Sequence, residues 1–208
     1  MNIPALKLVQ AVGVYNMVDT ALAMGITSLN DPSRYGITIT LGDSTVTPLD
    51  MAFAYSVFAN DGEMVGQPVP LADRKLGMRR RNPVAILKIT DSFGHVIYQY
   101  TPPKPIQVVS PQASYLISNV LSDDHARHYI FAPNGVLVVD RPAAVKTGTT
   151  QLEQDAWTVG YTPDLAVAIW TGNTNGAPAR AVECETSAGY SGKVDWYIKN
   201  IPPICSLN

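Results

Sequence analysis

Val145-Lys146-Thr147-Gly148-Thr149-Thr150 gathers a lysine, three hydroxyls and a glycine in one run of strand-forming composition. Successive side chains on a strand alternate between faces, so Lys146 and Gly148 project to one side and Thr147 and Thr149 to the other. A glycine at that place lets another backbone lie close along the strand. The main chain beyond it can donate hydrogen bonds to an oxyanion or a peptide carbonyl. The lysine and threonine can bind a carboxylate. Alone, Lys-Thr-Gly is a three-residue pattern that recurs by chance, and an ordinary strand end is its commoner meaning.

Rival chemistry is sparsely marked. Asp123-Asp124-His125-Ala126-Arg127-His128 sets two histidines three apart beside two acids, a spacing that shares a helical face, but no third ligand is signalled, and no metal is expected there. Cys184 and Cys205 suit a terminal disulfide or two free thiols. Without a Cys-x-x-Cys or Cys/His spacing they do not read as a zinc site. His95 falls in a predicted hairpin and reads as a half-exposed strand residue. No Gly-x-Ser-x-Gly elbow supports a Ser-His-Asp triad, and no cofactor is predicted.

The elements that must position this chemistry are well punctuated. Apolar residues from Pro4 to Met24 follow a helical spacing, split into two helices at Gly13 and closed by Gly25. Asn30-Asp31-Pro32-Ser33 reads as a turn, and Tyr35 to Leu41 as a connector ending at Gly42. At Thr47-Pro48-Leu49-Asp50 a cap, a first-turn proline and a capping-box acid announce a helix. Its expected apolar face is Leu49, Ala52, Phe53, Ser56 and Val57, and Asn60-Asp61-Gly62 stops it. Ala85 to Thr90 and His95 to Tyr100, joined by Asp91-Ser92-Phe93-Gly94, read as a β-hairpin. A further helix is expected from Pro111 to about Leu121, capped by Ser110, with Ala113, Leu116, Ile117 and Val120 as its apolar face. Three strands follow: Ala143 to Thr150, Ala156 to Tyr161 and Leu165 to Thr171, the last two turning at Thr162-Pro163-Asp164.

At 208 residues and 46% hydrophobic the chain can build a sizeable core. Fifteen basic against seventeen acidic side chains leave a formal charge of -2, which provides no field to gather nucleic acid or anionic lipid. Arg79-Arg80-Arg81 is the one dense basic run and reads as a solvated loop face. No apolar run reaches the roughly 18 residues of a membrane span, and no charged start followed by an apolar stretch marks an export signal.

Four separated segments, in order, resemble the transpeptidase domain of penicillin-binding proteins, especially the bifunctional class A type. They are Asn2-Ile3-Pro4-Ala5-Leu6-Lys7; Leu41-Gly42-Asp43-Ser44-Thr45-Val46-Thr47-Pro48-Leu49-Asp50-Met51-Ala52 with Tyr55 and Phe58-Ala59-Asn60; Arg141 to Thr150; and Asp155 to Asp164. The resemblance spans about residues 2–175 and implies an α+β fold of the β-lactamase/transpeptidase kind, a helical lobe against an antiparallel sheet. It divides 1–175 into a helical lobe (1–66), a hairpin-containing insert (67–107) and a helix with core strands (108–175), followed by a divergent tail (176–208) with Pro202-Pro203 and both cysteines. Asp43 stands where the family commonly has a second glycine. The His125/His128 stretch falls in a loop that varies within the family.

The family resemblance implies three catalytic motifs: Ser-x-x-Lys, Ser-x-Asn and Lys-Thr-Gly. Only the last is complete. Asn2 matches the asparagine that precedes Ile-Pro-Ala, with the serine of its motif upstream of residue 1. Ser28-Leu29-Asn30 and Ser206-Leu207-Asn208 match only by spelling, and no serine begins a Ser-x-x-Lys. In the intact family the serine attacks a D-alanyl-D-alanine stem peptide, or a β-lactam, and forms an acyl-enzyme. By the same resemblance Asn2 contacts substrate and helps proton transfer, Lys146 and Thr147 hold the donor's carboxylate, Gly148 admits the substrate backbone, and the Thr149 main chain serves the oxyanion hole. The expected home of the full-length protein is the outer face of the bacterial cytoplasmic membrane. The expected chain is a fragment, inactive alone, whose Lys-Thr-Gly strand is left with an open edge. A D,D-carboxypeptidase, a β-lactamase-like hydrolase and a non-catalytic β-lactam sensor or scaffold remain as alternatives.

Overall fold

The computed structural model describes residues 2–75, 77–128, 131, 137–150, 154–173 and 175–177; Cys184, Cys205 and most of the tail lie outside them. The architecture is α+β, with helices packed on one face of a three-stranded antiparallel sheet.

Helix α1 (Ile3–Val12) and helix α2 (Val14–Met24) meet at Gly13, whose φ of 88° and ψ of 137° break the helical run, as the sequence predicts. Gly25, at φ 120°, ends α2. Val18 and Leu22 of α2 pack with Leu29 and Ile39 into one core cluster. The 30–42 stretch that supplies Ile39 is two short 3₁₀ turns, Pro32–Arg34 and Ile37–Leu41, the second closed by Gly42 in the left-handed region. Helix α3 (Pro48–Ala59) begins where the capping signals place it, the Thr47 hydroxyl accepting the Asp50 N–H at 3.1 Å. Met24, Ala54, Val57 and Met64 form the second core cluster, with Val57 fully buried.

The expected apolar face of α3 needs correction. Leu49 is 53% exposed, whereas Asp50, Ala54 and Val57 are buried. Helix α3 is enclosed by α2, strand β1 (Glu63–Met64), helix α4 (Pro111–Ser122) and strands β8 (Asp155–Thr162) and β9 (Leu165–Gly172). An element contacted on several sides has no single stripe for periodicity to find. Asp50 also departs from the capping box. Rather than reaching back to the cap, its carboxylate accepts the Thr27 N–H at 3.0 Å, the Thr27 hydroxyl at 2.8 Å and Arg79 Nη1 at 2.8 Å.

That last bond overturns the reading of Arg79-Arg80-Arg81 as a solvated face. Arg79 also donates to Gly25 O at 3.0 Å and to Asn82 Oδ1 at 3.1 Å, and lies over the Phe53 ring. Arg81 is half-buried and donates to Lys104 O, which leaves Arg80 as the exposed member. Residues 67–107 leave and return at one place, because β1 pairs with strand β6 (Ile106–Gln107) and the Gly62 carbonyl accepts from Val108 and Val109. Within the excursion, strand β2 (Gln67–Pro68) pairs with strand β3 (Arg81–Asn82), and strand β4 (Lys88–Thr90) with strand β5 (Val96–Gln99). The β4–β5 hairpin is where the alternating residues predict it, although shorter. His95 sits outside it, exposed at the turn and held by Asp91, a correction to its strand assignment.

Helix α4 starts at Ser110, which accepts the Ala113 N–H, but its expected apolar face points away from the protein. Leu116 and Val120 are 61% and 66% exposed, while Ser114 is buried and Ser118 Oγ lies 2.8 Å from Tyr161 Oη. Small hydroxyl residues form the contact face because α4 packs directly on α3 and on strand β7 (Ala144–Thr149). No described helix is long and apolar enough to cross a membrane.

Candidate active site

The sheet runs β7-β8-β9, all antiparallel. Gly148 faces Trp157 and Trp157 faces Trp170; Lys146 faces Val159 and Val159 faces Ala168. By alternation these residues share one face, the face that α3 covers through β8 and β9. The 41–48 segment and the first turns of α3 stand off from it and leave a cleft of about 860 Å³. Lys146, Thr147, Gly148, Thr149 and Thr150 line the cleft, as do Trp157 and Trp170 of the sheet and Met51 and Tyr55 of α3.

Strand β7 has β8 on one side and no partner on the other among the described residues. Its main-chain phase follows from one bond. Thr150 N–H donates across the ladder to Asp155 O at 3.0 Å, so Thr147 and Thr149, in the opposite phase, turn their N–H and C=O groups to the free edge. Lys146 is exposed and its ammonium donates to the Thr147 carbonyl; it forms no ion pair with a described carboxylate. Such a cation beside the outward main-chain groups of Thr147 and Thr149 can take an extended peptide ending in a carboxylate.

Asn2 is exposed at the start of α1, and its carbonyl accepts the Leu6 N–H at 3.0 Å while its side chain caps nothing. It does not line the cleft. Its connection runs through α1, which packs on the 37–41 turn whose last residue, Leu41, begins the cleft wall. Lys146, Thr147, Gly148 and Thr149 are thus brought together, and Asn2 stands apart.

The sequence assigns no site role to the wall that faces them. Asp43 accepts a hydrogen bond from Thr38 at 2.8 Å and so ties the wall to the preceding turn. Tyr55 is pushed above the ordinary tyrosine range by burial, and nearby Tyr161 adds to the shift. Burial raises Tyr161 as well, against the opposing pull of the Ser118 hydrogen bond. The signals for these residues were the 41–52 and 155–164 segments, recognisable by resemblance but silent about which faces would meet.

At Asp123-Asp124, the Asp124 carboxylate accepts from His128 at 2.9 Å, and this hydrogen bond holds its carboxyl below the ordinary range. Asp123 caps helix α5 (Asp124–Arg127). No group of three histidine, cysteine or acidic side chains among the described residues is placed to hold a metal.

Similarity to known proteins points to one family. Penicillin-binding protein 2D of Bacillus subtilis is 29% identical over 189 residues, which is 88% of this chain and 24% of that protein. Among solved structures, penicillin-binding protein 1A from Haemophilus influenzae matches with a TM-score of 0.64 at 21% identity, covering 84% of this chain and 29% of that one. PonA1 from Mycobacterium tuberculosis in complex with penicillin V matches with a TM-score of 0.62 at 24% identity, covering 85% of this chain and 46% of that one. The chain therefore spans about a quarter of the length of the first of these relatives. The fold is that of the transpeptidase domains. A family profile described as the penicillin binding protein transpeptidase domain matches residues 5–188, more than half of the sequence, and the chain belongs to that family.

Proposed function

We propose that the chain is the C-terminal part of a class A peptidoglycan D,D-transpeptidase domain and supplies one wall of its active site. The observation that carries this reading is the edge of β7 that has no partner strand among the described residues, where the Thr147 and Thr149 main chain faces outward beside Lys146, whose ammonium meets the Thr147 carbonyl and no described carboxylate. A stem peptide ending in D-alanyl-D-alanine would lie along that edge, its carboxylate held by Lys146 and the Thr147 hydroxyl, with Gly148 admitting its backbone. The Thr149 N–H would help to stabilise the oxyanion.

The nucleophile in this reading is a serine of an upstream Ser-x-x-Lys. Its Oγ bonds to the carbonyl carbon of the penultimate D-alanine, the peptide C–N bond breaks, and the terminal D-alanine leaves with the proton. An amine of a second stem then displaces the serine from the ester and forms the cross-link. Asn2, through the motif it matches, would contact substrate from the helical lobe. β-Lactams would acylate the same serine, and the site would work at the outer face of the cytoplasmic membrane.

Extending the reading frame upstream tests this directly. A Ser-x-x-Lys followed by a Ser-x-Asn ending at Asn2 supports the proposal, and the product of that frame should be acylated by penicillin. An extended frame without Ser-x-x-Lys, or a product that penicillin does not acylate, overturns it.

A further inference from the structure

Asp155 couples the floor of the cleft to the end of β7. Its main chain takes the Thr150 N–H at 3.0 Å and gives its own N–H to Thr150 Oγ1 at 2.8 Å. Its side chain reaches the other way, Oδ1 accepting Trp170 Nε1–H at 2.9 Å from the neighbouring strand. Asp155 pairs with Gly172, and the missing side chain at Gly172 makes the reach possible. A Cβ there would stand 2.6 Å from Asp155 Oδ1 and 2.7 Å from Trp170 Cζ2, closer than real Cβ contacts allow. One residue thus bonds both outer strands: β9 through its carboxylate and the exit of β7 through its main chain.

The Thr150 N–H bond continues the β7–β8 ladder past Thr149 and holds the end of β7 in the phase that turns the Thr149 N–H to the open edge. Any loosening of Asp155 therefore reaches the Thr149 N–H, one residue away and aimed outward. We infer that Asp155 is a positioning residue for acyl transfer: its carboxylate, locked to Trp170 over Gly172, keeps the Thr149 N–H aimed along the free edge of β7. The inference rests on the transpeptidase reading above, in which that N–H serves the oxyanion. It predicts an effect on the acylation step rather than on prior binding, because the Lys146 and Thr147 contacts lie further along the strand.

Two measurements test it. In this chain, amide exchange followed by NMR should show Thr150 losing protection in Asp155→Leu and Trp170→Phe. Asp155→Asn, whose amide oxygen still accepts from the indole, should restore it. In the product of the extended frame, β-lactam acylation resolves into a binding constant and a first-order acylation constant. Asp155→Leu should lower the latter by about ten- to a hundredfold, a 1 Å misplacement of reacting groups costing about a hundredfold, with the binding constant little changed. Asp155→Asn should stay near wild type, and the Asp155→Leu/Trp170→Phe pair should lose little more than either single variant. Circular dichroism identifies any variant that has unfolded, and Asp155→Asn against Trp170→Phe then carries the comparison. Unchanged Thr150 exchange in Asp155→Leu, or an unchanged acylation constant, overturns this inference alone. Failure of the wild-type product to acylate instead overturns the transpeptidase reading beneath it.

Discussion

Arg79 Nη1 lies 2.8 Å from Asp50 Oδ1, with the two side chains only 15% and 7% exposed. The pair joins the 67–107 excursion to the first turn of α3, and Thr27 occupies the other carboxylate oxygen. Removing one partner leaves the other charge buried. Asp50→Ala or Arg79→Ala should therefore destabilise the chain by about 3–5 kcal/mol, read as a lower urea midpoint at unchanged slope. A change below about 0.5 kcal/mol would mean that the pair is solvated.

The Thr47 hydroxyl accepts the Asp50 N–H in the first turn of α3, and Thr47 stands in the cleft wall. Thr47→Ala should cost about 1 kcal/mol and Thr47→Ser only a fraction of that. Equal losses in the two variants would show that the methyl group, rather than the hydroxyl, matters there.

Gly62 closes the 67–107 excursion at φ 84°, and a Cβ added to it would stand 2.0 Å from the Val109 carbonyl. Both the backbone angle and the space refuse a side chain. Gly62→Ala should fail to fold or unfold several kcal/mol more readily, on the order of 3 kcal/mol or more. Gly77→Ala, also at positive φ (77°) but with nothing within 4 Å, should lose far less. A Gly62→Ala melting curve like that of Gly77→Ala would contradict the packing described.

Tyr55 and Tyr161 hold their protons above the ordinary tyrosine value, chiefly through burial. The folded state then binds more protons than the unfolded one above pH about 10. Stability from this source is complete below that value and falls as pH rises through the raised folded values. In an alkaline titration, ultraviolet absorbance should show a late-ionising component, and Tyr55→Phe should diminish it. A titration with no late component, or one that Tyr55→Phe leaves unchanged while the fold is intact, would contradict the burial.

Elements with local punctuation were legible in the sequence. Gly13, Gly25, Thr47-Pro48 and Ser110 mark helix ends that the structure reproduces, and alternation gave β7, β8 and β9 their faces. Side-chain partners set by distant segments were not legible. Asp50 is spelled as a capping acid but bonds residues 23 and 29 positions away. Leu116 and Val120 have helical spacing but no described neighbour to bury them, because Ser114 and Ser118 permit the closer approach to the sheet. The cleft is of this second kind. Its lysine strand could be read in one dimension, whereas the facing wall of 41–48 depends on where α3 and the sheet come to rest.

The most direct test of the central claim, that this chain supplies a wall of a transpeptidase site without its nucleophile, is covalent labelling by fluorescent penicillin. The purified chain should remain unlabelled, and the product of the extended reading frame should carry label that Lys146→Ala greatly reduces. Label covalently attached to the purified chain alone would contradict the account.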